Sequence, residues 1–235
     1  MYARRVKGEV LDFGHRGWLY EESFLFYDTR TDSRWVQATG EAVHGPFKGT
    51  RLERLPATQT TWGQWRRHHP DTLVLGQGRA EKLRYARDSY ERYYQMGGGV
   101  RHKKTGPLTI GLAVLTGRKQ KLYPFPELEK KAFVNDRLGN VPVLVVFHAA
   151  SSTATAFERL YTGGELEFGS AEVKGTDVLL KDRATGSIWS GMTGRCVAGP
   201  AKGAHLRQVL TTQFVQENWR LHYPKGAYYT PQSKF

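Results

Sequence analysis

The chain has 235 residues, of which 39% are hydrophobic, 12% aromatic and 24% charged, a mixture too apolar for a disordered chain and long enough to bury a sizeable core. With one cysteine it can form no internal disulfide and no multi-cysteine metal site, and its longest apolar run, Val141 to Phe147, is too short to span a bilayer as a helix. The formal charge of +13 raises the question of a polyanionic partner.

Along the chain, Met1 to Val10 carries basic residues without an apolar stretch behind them, so no secretory signal is read there, and the chain as given is read as soluble. Glu9 to Phe13 alternates apolar and polar residues, Ser23 to Tyr27 is rich in aromatics, and Arg34 to Ala38 and Arg51 to Leu55 alternate again, which predicts four short strands. Turn residues separate them: Asp28 to Ser33, Thr39-Gly40 and Gly45-Pro46. Gln59 to His68 has helical spacing and ends before Pro70.

A basic connector, residues 76–106, follows. The stretch 76–135 holds 13 basic against 5 acidic residues, most of the excess charge of the chain. Within the connector, Arg101, His102, Lys103 and Lys104 form a glycine-flanked basic cluster just after Tyr90, Tyr93 and Tyr94, and are the candidates for binding a polyanion such as nucleic acid. No helix-turn-helix, zinc-finger, RNA-binding or P-loop spacing accompanies them. Strands are then predicted at Leu108 to Val114, Lys119 to Tyr123 and Val141 to Phe147.

Residues 177–224 repeat residues 23–70. Trp35 and Trp189, Gly45 and Gly199, Leu52 and Leu206, and Trp65 and Trp219 all lie 154 apart, and 19 of the 48 paired positions are identical. At an offset of 155 the likeness reaches back from Phe157, Arg159 and Phe168 to Tyr2, Arg4 and Phe13. The expected architecture is mainly β: two pseudo-symmetric repeats of short strands, each closed by one short helix, Gln59 to His68 and Gln213 to His222. Module one covers 1–75 and module two 107–235. Copy one has no counterpart of the strands at 108–147, so its front reads as truncated. The edge at Glu9 to Phe13 is expected to offer unpaired backbone groups, covered by the connector, by another chain or by the tail 225–235.

Asp28 and Asp182 head equivalent turns and are read first as backbone caps. Cys196, replaced by Ala42 in the other copy, is read as a packing residue. No HExxH, GxSxG or spaced His/Cys cluster is present. If a small molecule binds, the seam between copies is the geometric candidate, where equivalent residues converge; Trp35 with Trp189 and His68 with His222 are the pairs singled out. The sequence requires no cofactor and names no ligand.

The run Trp35-x-x-x-Thr-Gly-Glu-Ala-Val-x-Gly-Pro-x-x-Gly-Thr-x-Leu52, followed by Thr60-Thr-Trp-Gly-Gln-Trp65 and His69-Pro-Asp-Thr-Leu-Val-Leu75, resembles the domain-of-unknown-function family numbered 3179. Tyr85-Ala-Arg-Asp-Ser-Tyr90, Lys121-Leu-Tyr-Pro124 and Val134-Asn-Asp136 extend the resemblance over the whole chain. It implies a duplicated, strand-rich protein of an exported bacterial or archaeal family, placed in the periplasm or outside the cell. Many members carry a Cys-Pro-Leu-Cys element, and the resemblance puts His148 and Ser151 at its two cysteine positions, so thiol chemistry is not expected here. His148 thereby joins the ligand-binding candidates. The leading expectation is a non-enzymatic β-rich binding or structural module. The alternatives are a metal- or redox-dependent enzyme, with at least two of His68, His148, His205 and His222 around one ion at the seam, and polyanion binding through the connector.

Overall fold

A computed structural model describes residues 1–74, 109–162 and 164–231. The connector, with Arg101, His102, Lys103 and Lys104, lies outside them. In chain order, copy one contains the short hairpin β1 (Arg5–Val6) and β2 (Glu9–Val10), then β3 (Phe13–Tyr20), β4 (Ser23–Asp28), β5 (Arg34–Val36) and β6 (Ala42–His44), and helix α1 (Trp62–His68). The middle of the chain supplies β7 (Ile110–Thr116), β8 (Lys119–Pro124), helix α2 (Phe125–Glu129), β9 (Phe133–Leu138), β10 (Val141–His148) and β11 (Thr153–Glu158). Copy two then runs through β12 (Leu160–Tyr161), β13 (Gly164–Glu165), β14 (Phe168–Lys174), β15 (Asp177–Asp182), β16 (Ile188–Ser190), β17 (Cys196–Ala198), β18 (Leu210–Val215), helix α3 (Trp219–His222) and β19 (Ala227–Tyr228).

The repeats have one topology. β3-β4-β5-β6 and β14-β15-β16-β17 are antiparallel sheets in chain order, and the register shifts at the same place in both, between Arg34 and Trp35 and between Ile188 and Trp189. Their turns are built alike. Asp28 accepts from the Thr31 amide (2.7 Å) and from Trp35 Nε1–H (3.0 Å), and Asp182 from the Thr185 amide (2.6 Å) and Trp189 Nε1–H (2.8 Å). One carboxylate thus caps the turn and fixes the central tryptophan of the sheet. Gly40 and Gly194 have φ of +71° and +74°, and a Cβ on either would fall 2.5 Å from Tyr2 or 2.6 Å from Phe157, so a ring of the same copy packs onto each glycine.

Burial by itself would push the Asp28 and Asp182 carboxyls up, but the tryptophan and turn hydrogen bonds hold both below the ordinary carboxylate value. A depressed folded-state pKa gives stability that is fully present above the unfolded value and is lost as pH falls through the folded one. Acid unfolding should therefore steepen below about pH 4, and Asp28→Asn with Asp182→Asn should flatten that limb. Denaturation midpoints followed from pH 6 to pH 2 would check this; superimposable acid limbs for wild type and double variant would remove the two aspartates from the account.

Three expectations need correction. Arg51 to Leu55 is not a strand: it makes only single bridges, Arg51 to Glu41 and Arg54 to Tyr2, as the chain crosses the end of the sheet. The copy-two helix does not begin at Gln213, because Leu210 to Val215 pairs with β7 and only Trp219–His222 is α-helical. Thr61, whose hydroxyl accepts from the Gln64 amide and starts α1, is replaced there by Val215, which cannot cap and continues the strand. The third concerns the open edge. Among the described residues β3 is an edge strand in copy one, but β14 is equally an edge in copy two, where the front strands are present. Those strands do not pair with the edge; they cover a face. Leu144 and Val146 of β10 pack on Val178, Leu180 and Trp189, whereas in copy one Phe24 and Phe26, the counterparts of Val178 and Leu180, are only half-buried. The tail instead adds β19, parallel to β8, to the sheet β18-β7-β8-β19.

β10 explains the longest apolar run. Its Val143, Val145 and Phe147 enter a cluster with Leu112, Val114 and Tyr123, while Leu144 and Val146 enter the copy-two cluster, so both faces are buried. At the seam, Thr211 Oγ1 donates to the carbonyl of Ala57 at 3.0 Å, and these positions differ by 154, the repeat offset itself. A contact between equivalent residues lies at the pseudo-twofold axis.

Candidate functional site

The seam is held by reciprocal contacts. His68, at the end of α1, bonds through Nε2 to the Thr176 carbonyl in the β14–β15 turn (3.2 Å), and His222, at the end of α3, bonds through Nε2 to the Glu21 carbonyl in the β3–β4 turn (2.8 Å). Each copy's helix therefore grips the other copy's hairpin. Burial lowers the His222 pKa against the opposing pull of the Glu21 contacts.

Beside His68 lies a buried polar network. Gln64, the one buried residue of α1, donates from Nε2 to the Thr176 carbonyl (2.7 Å), and its Oε1 accepts from Thr153 (2.6 Å) and Ser151 (2.8 Å), with Thr60 also in contact. His148 bonds through Nε2 to the Gly175 carbonyl (2.9 Å) and through Nδ1 to Ser151 Oγ (2.8 Å). The carbonyl contact requires the proton on Nε2, so Nδ1 and Gln64 Oε1 both face the one Ser151 hydroxyl hydrogen. His148 and Ser151 are thus in contact with each other, and both imidazole nitrogens are occupied.

Two clefts flank the axis. One, of about 320 Å³, is lined by Thr58, Gln64, His68, Phe157, Met192 and Gln208; the other, of about 370 Å³, by Thr212, Asn218, His222, Tyr2, Ala38 and Arg54, the repeat counterparts of those six. The fold makes one cleft twice, and the linings have diverged. In the smaller cleft Trp65 stacks on His69 with ring centroids 4.0 Å apart and donates from Nε1 to Thr72 (2.8 Å), and Arg195 and His205 complete the wall. In the larger, Arg54 donates to Tyr2 (2.8 Å), Ala38 (2.7 Å) and Tyr223 (3.2 Å) from one nitrogen. Burial pushes the Tyr2 hydroxyl up to about 12 although Arg54 opposes it.

Of the candidate residues, Trp35 and Trp189 are fully buried, each inside its own copy, and line neither cleft. His68 and His222 line separate clefts, and His148 is buried behind the smaller one. Among the described residues, no group of three or more His, Cys, Asp and Glu stands close enough to hold a metal ion. Sequence reading passed over Gln64 and Thr153, and named Ser151 only through the resemblance; their hydroxyls and amide become a site only when α1 meets β11 and the turn before it. It also passed over Arg195, and it named His205 only as a candidate metal ligand, although alignment at the 154-residue offset sets the two against Glu41 and Arg51.

The fold and its seam define a class, mainly β proteins built from two pseudo-symmetric repeats. The profile of the family described as Protein of unknown function (DUF3179) matches residues 1–109 and again 108–235, and the chain belongs to that family. Neither a curated protein nor a solved structure matches it. Among the described residues, no helix is long and apolar enough to cross a membrane.

Proposed function

We propose that this protein is a non-enzymatic binding module whose ligand occupies the smaller seam cleft. The observation that carries the reading is the cleft itself. It has the volume of a small-molecule site, about 300 Å³ or more, and it combines an apolar surface of Trp65, Phe157 and Met192 with converging polar groups from both repeats. The reactive-looking pair nearest to it, His148 and Ser151, is tied into the Gln64 network and supports positioning of α1 rather than turnover. The family resemblance favours an exported setting for this role, which fractionation of the source cell would check.

Met192→Trp fills the cleft from a position that is alanine in the other copy, and supplies the control. The neutral aromatic probe benzamide should raise the melting temperature of the wild type and leave that of Met192→Trp at the variant's own ligand-free value. Equal binding by both proteins, or none by either, would sink the proposal.

A further inference from the structure

We infer that the smaller seam cleft selects a small organic anion, a carboxylate or similar group carried on an apolar body. This rests on the binding reading above and specifies its ligand class. Four basic side chains, His68, His69, Arg195 and His205, line the cleft, and none of its described lining residues is acidic.

The repeat supplies an internal comparison. In copy one, Glu41 and Arg51 face each other across an antiparallel bridge and form an ion pair at 2.6 Å. The same bridge in copy two sets Arg195 against His205. A neutral pair has become a juxtaposition of two basic groups, and among the described residues Arg195 has no carboxylate within ion-pair distance. The carboxylate that neutralises Arg51 in copy one has no equivalent on the copy-two bridge, and an anion in the cleft would take its place beside Arg195. His69 registers the field: burial lowers its pKa, and the charges of His68 and Arg195 lower it further. An anion seated among them removes that opposition. A guanidinium binds a carboxylate through two parallel hydrogen bonds, and the Trp65, Phe157 and Met192 surfaces are placed to take the apolar remainder.

Calorimetric titration of the full chain at pH 7 and low salt, with benzoate, benzamide, benzylamine and inorganic phosphate, tests the inference. Benzoate should bind at least about tenfold more tightly than benzamide, and benzylamine should not bind. Arg195→Glu, an exposed position whose counterpart is already glutamate, should cost benzoate about tenfold or more while leaving benzamide unchanged, and Arg195→Lys should recover part of the loss. His205→Gln gives a second reading if Arg195→Glu fails to fold. Equal affinity for benzoate and benzamide, or benzoate binding indifferent to both variants, overturns the anion inference and leaves the binding module standing. Phosphate preferred to benzoate overturns the apolar body. No binding of benzoate or benzamide overturns the inference together with the reading beneath it.

Discussion

Trp189→Ala should destabilise the protein by about 3–5 kcal/mol, the range for an aromatic side chain removed from a packed core. Trp189 has no exposed surface and meets Phe168 and Tyr161 edge-on. It is also the donor that holds Asp182, itself almost fully buried, so the variant leaves a cavity and a carboxylate short of one hydrogen bond. Trp35→Ala should fall at the lower end of the range. Trp35 is equally buried and bonded to Asp28, but its cluster is smaller and, among the described residues, no strand comparable to β10 is laid over it. Urea denaturation of each variant provides the measurement, and a loss under about 1 kcal/mol at Trp189 would contradict its place in the core.

The second large effect separates the two copies. Gly191 corresponds to Gln37, and a Cβ at 191 would lie 2.6 Å from Val146 Cγ1 and 2.8 Å from the Val178 carbonyl. Gly191→Gln, which installs the residue of the other copy, should therefore cost about 1–3 kcal/mol or more through overpacking. Gln37→Gly should cost under about 1 kcal/mol, mainly in backbone entropy, since among the described residues no strand equivalent to β10 presses on that site. Val146→Ala in a Gly191→Ala background should relieve part of the strain and give a favourable coupling in a double-mutant cycle. Equal effects at 37 and 191 would mean that β10 does not lie against copy two as described.

Much of the fold was legible because it is local and written twice. Turn residues at Asp28, Thr39-Gly40 and Gly45-Pro46 marked the strand ends, aromatic content marked β4 and alternation marked β5. The failures came where a partner far along the chain decides the outcome. Gln213 to Val215 has helical spacing, yet β7 captures it as a strand, and Arg51 to Leu55 alternates without a strand to pair with. The seam was harder still. Sequence symmetry pointed to the tryptophans because they are invariant between copies, but invariance there reflects the shared Asp–Trp turn. The cleft lies where the copies differ, at Arg195, His205 and His69 against Glu41, Arg51 and Tyr223, and only a known cross-bridge makes such differences meaningful.

β10 has one more implication. A strand whose alternate side chains belong to two different hydrophobic clusters is a party wall, and neither room can be rebuilt without moving it. Close-packed interiors transmit small displacements rather than absorbing them. The sheet of β9, β10 and β11, the strands β7 and β8 on one side and the copy-two repeat on the other are therefore expected to melt and form together, with copy one joined to this block through helix-to-hairpin grips and polar contacts at the seam.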